Sequence, residues 1–531
     1  MHQFRRFAHR HSLLFASLII ALALSILSGC SATSSSASSV SLSAPSSVSP
    51  PIANAPRTAV VGIPQDFESL DPHLDPATGT QEVMFNVFTG LVNTDTSGAI
   101  IPEIASSWQV SEDQLRYTFV LRQGAVFHDG SPIRPEDVRY SLERLQGKTA
   151  DQTTALSSSF ASVTAISIEQ PDKVILELSA IDASLLSKMI VAIIPEGSGP
   201  QQAQHPIGAG PFRFVSYSPG VSLKLAKHEG FYQQGLPKLD EVEFRIFDAG
   251  SSSAAFLALQ NAEIDILNIT LEQREVLESP AFADKFEVLC TPQNMVQLFA
   301  LNTEFAPFAD LRVRQALNHA VNKDEIIALL APGSQKLGTN FCEVMSFYAA
   351  SGLENTYPYD PAKAIELLAA AGYGDLTFTV RVPSAYEFHL NTAQIIESQL
   401  RQVGVTMLIE PIEWTSWLSE VYTSFVHQAT LIGFTGKLDP DPILGRFASM
   451  HPNNLTRFKN ARVDELLVLG KSTSIEAERA PFYKELQVIL AEEVPAIFIM
   501  DITLYRAVNR RLTGLPSYPI GFIDMKSVTL K

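Results

Sequence analysis

A chain of 531 residues has room for roughly two to four domains of ordinary size, and at 46% hydrophobic and 18% charged its bulk is globular rather than disordered or fibrous. The net charge of −17 counts against a nucleic-acid binder, because counterion release needs a basic face, and equally against adsorption to an anionic membrane surface. Only one apolar run, near the start, approaches spanning length, which excludes a polytopic membrane protein.

Residues 1–29 contain Arg5, Arg6 and Arg10 and no acidic residue, followed by an apolar stretch from Leu13 to Leu27 and then Ser28-Gly29-Cys30. A cationic start, a short apolar run and small residues before a cut site make a secretory signal peptide. Leu27-Ser28-Gly29-Cys30 looks like a bacterial lipobox, in which Cys30 is lipidated and becomes the mature N-terminus. The competing reading is an uncleaved anchor helix, for which the apolar run is short. Losing the three arginines takes the charge from −17 to −20. Residues 30–56 then form the lipidated cysteine and a tether, mostly Ser, Ala, Pro and Val without a single charge. Such a segment has too little to bury to offset its ordering entropy. The working part is therefore expected in water but beside a membrane. The remaining cysteines, Cys290 and Cys342, allow one disulfide in an exported protein; two buried thiols are the alternative.

The folded part reads as mixed α/β without tandem repeats. Arg57 to Gly62 is a short buried strand, and Arg116–Leu121 and Lys173–Leu178 alternate as strands do. Asp310 precedes a helical run from Leu311 to Ala320 with Val313, Ala316, Leu317 and Ala320 on one face. Asp360-Pro361 is an N-cap with proline at the first helical position, and Gly372 closes that helix. A search for catalytic chemistry returns little. Gly147-Lys148-Thr149 resembles the end of a Walker A loop, but Leu142 stands where its first glycine belongs. There is no His-Glu-x-x-His, Gly-x-Ser-x-Gly or Cys-x-x-Cys. His128, His319 and His451 read as structural or solvated residues. The Asp-Pro pairs at Asp71, Asp75, Asp439 and Asp441 read as turns before metal ligands. Neither an enzyme nor a cofactor is expected.

Leu70-Asp71-Pro72-His73 through Phe88-Thr89-Gly90-Leu91-Val92 resembles the opening of family-5 extracellular solute-binding proteins, the dipeptide-, oligopeptide- and nickel-binding receptors of ABC importers. The likeness continues at Pro102 to Trp108, Phe127-His128-Asp129-Gly130, Glu136-Asp137-Val138 and Ser141-Leu142-Glu143-Arg144. Later echoes are Gly208 to Phe212, Leu239 to Val242, Glu263 to Ile266, Arg312 to Leu317 and Asp360 to Ala364. The resemblance implies an α/β, two-lobed periplasmic-binding-protein-like fold with an extra domain inserted in lobe I. Lobe I would collect 57–90, 206–295 and 505–531, the extra domain 91–205, and lobe II 296–504. It further implies a monomeric receptor, exported and held at the membrane only by its lipid. Such a receptor closes on a solute between its lobes and delivers it to the permease and ATPase subunits of an ABC importer. Short peptides are the first expectation; a nickel–metallophore or other anionic small solute is the alternative. A binding module used for signalling rather than transport would share the fold.

For the ligand site, the resemblance points to a lobe II carboxylate that meets a peptide's α-ammonium. It maps onto Gly433-Phe434-Thr435-Gly436-Lys437-Leu438-Asp439-Pro440-Asp441. Counted without a gap, the position falls on Lys437, which suits a carboxylate or phosphate instead; a small shift in the loop brings Asp439 to it. Trp414 and Trp417 are candidates to wall the cleft by stacking, or else core residues. Thr78, Gly79 and Thr80 lie where dipeptide receptors place a loop at the cleft edge. Phe434, Thr435 and Asp441 complete the candidates.

Overall fold

The computed structural model describes residues 56–74, 78–247, 251–339, 345–384, 386–435, 438–519 and 521–531. The signal and tether with Cys30, together with Asp75, Cys342 and Lys437, lie outside the described residues, and the side chains of Thr78 and Thr435 are likewise not described.

The chain opens on β1 (Thr58–Ile63), one residue later than its sequence pattern suggests. It is parallel to both of its neighbours, which explains why its sequence is a continuous apolar run rather than an alternating one. Next comes the short helix α1 (Thr78–Met84). A four-stranded antiparallel sheet follows, built from β2 (Ala105–Val110), β3 (Arg116–Leu121), β4 (Val163–Glu169) and β5 (Lys173–Leu178) in the order β2-β3-β5-β4. Both strands expected here, β3 and β5, form over the anticipated residues. Their alternation puts Tyr117, Phe119, Leu121, Val174, Leu176 and Leu178 on one buried face. Helix α2 (Pro135–Leu145) covers that face with Val138, Leu142 and Leu145. It begins at a proline, and the Asp137 carboxylate reaches back to accept the Arg134 N–H at 2.8 Å.

Four strands then join β1: β6 (Phe212–Ser218), β7 (Ser222–Lys227), β8 (Glu241–Ile246) and β9 (Ile266–Ile269). The 16-residue strand β10 (Phe286–Leu301) leads away from them. Beyond it lie α3 (Leu311–Ala320), α4 (Pro361–Ala371), β11 (Thr377–Pro383), α5 (Glu387–Arg401), β12 (Thr406–Ile412) and β13 (Ala429–Thr435). Helices α6 (Ala461–Lys471) and α7 (Glu476–Glu493) precede the long return strand β14 (Ala496–Asn509). The expected caps are in place: the Asp310 side chain accepts from the Arg312 N–H, and Asp360 from the Lys363 N–H. Gly372 closes α4 with φ of +82°.

All strands but the four-stranded set and two small pairs belong to one eleven-stranded sheet in the order β12-β11-β13-β10-β14-β9-β1-β8-β7-β6, with Gln335–Lys336 attached to β14. β10 and β14 are its spine. Their pairing runs regularly from Phe286–Asn509 to Pro292–Thr503, slips, and resumes at Val296–Asp501. The slip is written in the residues. Pro292 has no N–H to give the ladder, and Asn294 takes a left-handed φ of +47°. On one side of it Phe286 packs with Leu259, Leu277 and Ala507, beside the core of Val61, Phe212, Phe244 and Met525. On the other side Phe299 packs with Phe308, Leu317, Phe378 and Ile396. Two cores on one broken sheet give the two-lobed architecture.

Candidate ligand cleft

A cavity of about 490 Å³ opens where the sheet breaks, within the range of small-ligand sites. Thr80, Glu82 and Phe85 come from α1 and the turn behind it, and Lys188 and Ala192 from the chain between β5 and β6. Gln293 comes from the slip in β10, Leu438 and Pro442 from the loop after β13, and Gly521 and Phe522 from near the C-terminus. Residues 380 or more positions apart therefore meet on one surface, among them Glu82 and Phe522.

The floor is rigid. Arg144 of α2 donates to both oxygens of Asp71 (3.0 and 2.7 Å), and all three side-chain partners Asp71, His73 and Arg144 are buried. The His73 ring bonds to the Ala192 carbonyl at 2.9 Å, which ties the first turn to the cavity wall. Burial holds the His73 imidazole down to about 4, so it is a neutral strut. Phe85 stacks on Phe522, ring centres 4.1 Å apart, and offers an aromatic surface. Two charged side chains are among the described lining residues. Lys188 is paired with Asp182 at 2.7 Å. Burial raises the Glu82 carboxyl to about 7, against the opposing pull of the Arg506 guanidinium. Gln114 in the β2–β3 turn donates to Thr473 and accepts the Ser474 N–H, joining segments about 360 residues apart.

The candidates from the sequence scatter. Thr80 is buried and lines the cavity, whereas Gly79 packs against the Gln65 side chain. Trp417 is 1% exposed, its indole N–H donating to Thr430 at 3.0 Å, and it belongs to a hydrophobic core. Trp414 stacks on it, with centres 5.2 Å apart, and is not among the described cavity-lining residues. Phe434 lies under the Arg446 guanidinium (4.2 Å) beside a separate small pocket. The backbone of Thr435 pairs with Met295. Asp439 is the main correction. Arg479 donates to both of its oxygens (2.7 and 3.0 Å), with both side chains buried, so this carboxylate is consumed inside the protein rather than turned to a ligand. Asp441 sits 3.1 Å from Lys471, and burial raises its carboxyl. Cys290 is an exposed thiol.

Sequence reasoning passed over Glu82, Phe85, Lys188, Gln293 and Phe522. The one signal available was that Glu82 and Phe85 fall inside the opening motif stretch. Among the described residues no group of three or more His, Cys, Asp or Glu is placed to hold a metal ion, and no helix is long and apolar enough to cross a membrane.

The family model for bacterial extracellular solute-binding proteins, family 5, matches residues 99–454. The chain belongs to this family. The glutathione-binding protein GsiB of Pectobacterium atrosepticum is 30% identical over 503 residues, covering 90% of this chain and 95% of that protein. Among solved structures, the ABC transporter-associated periplasmic binding protein DppA of Helicobacter pylori, in complex with the peptide STSA, is 25% identical. It covers 89% of this chain and 98% of its own, with a TM-score of 0.73. The substrate-binding protein CtaP of Listeria monocytogenes, at 23% identity and a TM-score of 0.80, shares the fold over 89% of this chain and 99% of its own. This chain is a two-lobed solute-binding protein.

Proposed function

We propose that the protein captures a short peptide, of about the size of a tripeptide, in the cleft and delivers it to the permease of an ABC importer. The carrying observation is the cavity itself: it lies at the break in the sheet, and both sides of that break supply its wall. Movement about the slip in β10 and β14 would open and close it, as hinge closure around a ligand requires. Closure removes water from the ligand, strengthens the hydrogen bonds to it, and gives the permease a surface that the open form lacks. The relatives that bind glutathione and the neighbour holding a four-residue peptide support this size and class. In this reading the lobes are 57–90 with 206–295 and 505–531, and 296–504, with 91–205 as the extra domain. The monomeric protein is exported by residues 1–29 and held at the outer face of the membrane through lipid on Cys30.

Thermal unfolding of ligand-stripped protein tests this, with glutathione, pooled di- to pentapeptides, the same peptides N-acetylated, and nickel with histidine. A true ligand at a hundred times its dissociation constant adds about 2.7 kcal/mol. Stabilisation by peptides or glutathione supports the reading. A shift from nickel–histidine alone replaces it.

A further inference from the structure

Resting on that reading, we propose that Glu82 is the group that receives the ligand's cationic end, so that peptides enter with their ammonium against lobe I at the α1 wall.

Geometry disqualifies the other candidate carboxylates: Asp441 is paired with Lys471 at 3.1 Å. Asp439, the carboxylate that sequence comparison puts forward, has both oxygens committed to Arg479. Asp71 is committed to Arg144 in the floor. Glu82 lines the cavity, and no hydrogen bond to its carboxylate is formed among the described residues. It is also held close to bare backbone. A Cβ on Gly521, whose φ is +48°, would fall 2.1 Å from Glu82 Oε1, so only glycine there leaves the carboxylate its place. Among the described residues, the cation acting on it is Arg506 of β14, and that guanidinium is spent elsewhere. It donates to Asn268 Oδ1 (2.9 Å) and to the Phe522 and Gly521 carbonyls (3.3 and 3.2 Å). Lys188, the other charged group of the lining, is held by Asp182. What remains is a half-buried carboxylate with no hydrogen-bond donor among the described residues, beside the stacked Phe85 and Phe522 faces. An ammonium supplies three donors and a positive charge, and aromatic faces favour it further.

Burial leaves Glu82 half-protonated near neutrality in the empty cleft. An arriving cation needs the ionised form, so apparent affinity should rise with pH up to about 7 and level off above it. Between pH 5.5 and 7.0 the ionised fraction rises about fifteenfold for a group that titrates near 7, while a peptide amine stays mostly protonated.

The test is calorimetric titration of the full-length protein and of Glu82→Gln with trialanine, N-acetyl-trialanine and glutathione at pH 5.5, 6.2 and 7.0. Thermal unfolding of both proteins checks that the variant folds. Expected are a rise in wild-type affinity of up to about fifteenfold for the free amines, little rise for N-acetyl-trialanine, and a flat profile in Glu82→Gln. Two results overturn the proposal. If both proteins bind peptides with the same pH profile, or N-acetylation changes nothing, the peptide reading stands and Glu82 is not the receiving group. If the wild type binds none of the three probes, both fall.

Discussion

Replacing Asp439 by asparagine separates the two roles this residue has been assigned. In the structure its carboxylate is a buried counter-ion. Arg479 donates to both oxygens, to the Gly470 carbonyl at 2.8 Å and to the Tyr483 hydroxyl at 3.2 Å, and it lies against the Tyr348 and Tyr483 rings. Neither charged side chain exceeds 8% exposure. Asparagine keeps the volume and one acceptor but leaves the guanidinium without its charge partner, and breaking a buried pair in this way costs about 3–5 kcal/mol. For a cooperative unit of 150–250 residues that is a drop in Tm of roughly 6–20 °C. Differential scanning calorimetry reads this directly. Asp439→Asn combined with Arg479→Leu should recover part of the loss, because the orphaned charge goes with its partner. Peptide affinity measured well below the transition should be unchanged in the single variant. Refutation would be a Tm within about 2 °C of wild type together with loss of the ligand-induced shift.

Acid should destabilise the fold in a definite window. Burial holds His73, His389 and His427 down to about 4 and His128 to about 3, from an ordinary 6.5. Their contribution is full above pH 6.5 and is lost as pH falls toward 4, by at most about 1.4 kcal/mol per pH unit for each. Glu82, raised from 4.5 to about 7, acts with the opposite sign between those values and cancels about one histidine's share; a Tm that stays level from pH 7.5 to 5 would contradict this. Gln114→Ala removes the two hydrogen bonds to Thr473 and Ser474 that join distant segments, worth about 0.5–1.5 kcal/mol each. Small-angle scattering should show a more open unliganded protein, and peptide affinity should fall; an unchanged scattering curve argues against a tie. Phe85→Ala should weaken peptide binding about tenfold by removing its stacking face, whereas Trp414→Ala, outside the cavity lining, should alter binding less than about twofold. Calorimetric titration of both variants decides between them.

How much of this was legible in the chain depends on the range over which each signal acts. The helix caps at Asp310 and Asp360, the closing Gly372, and the alternation of Arg116–Leu121 are local, and each formed where its residues indicated. The opening motif stretch contains Thr80, Glu82 and Phe85, all of which line the cavity, though of these the sequence marks only Thr80 as a candidate. What could not be read was which polar groups are already spent. Nothing near Asp439 announces that Arg479, 40 residues on and inside a helix, will take both of its oxygens. Nor does Trp417 differ in sequence from a cleft tryptophan; Thr430, across the fold on β13, makes it core. Lys188 and Phe522 reach the cavity only through tertiary packing, for which a single sequence has no local sign.

The way the ends of the chain knit together bears on when it can fold at all. The Asn86 amide donates to the Ile523 carbonyl and accepts the Met525 N–H, across 437 and 439 residues. The last residues of β14 supply the partner of β9. Until Tyr505–Val508 have been made, one edge of β9 lacks its neighbour, and until Ile523–Met525 follow, the buried amide of Asn86 keeps only its local bond to the Val83 carbonyl. Contacts of such long range also form slowly. With the export proposed above, this order of assembly would let the chain cross a membrane as an extended thread, because the first core waits on residues 505–525 to be sealed.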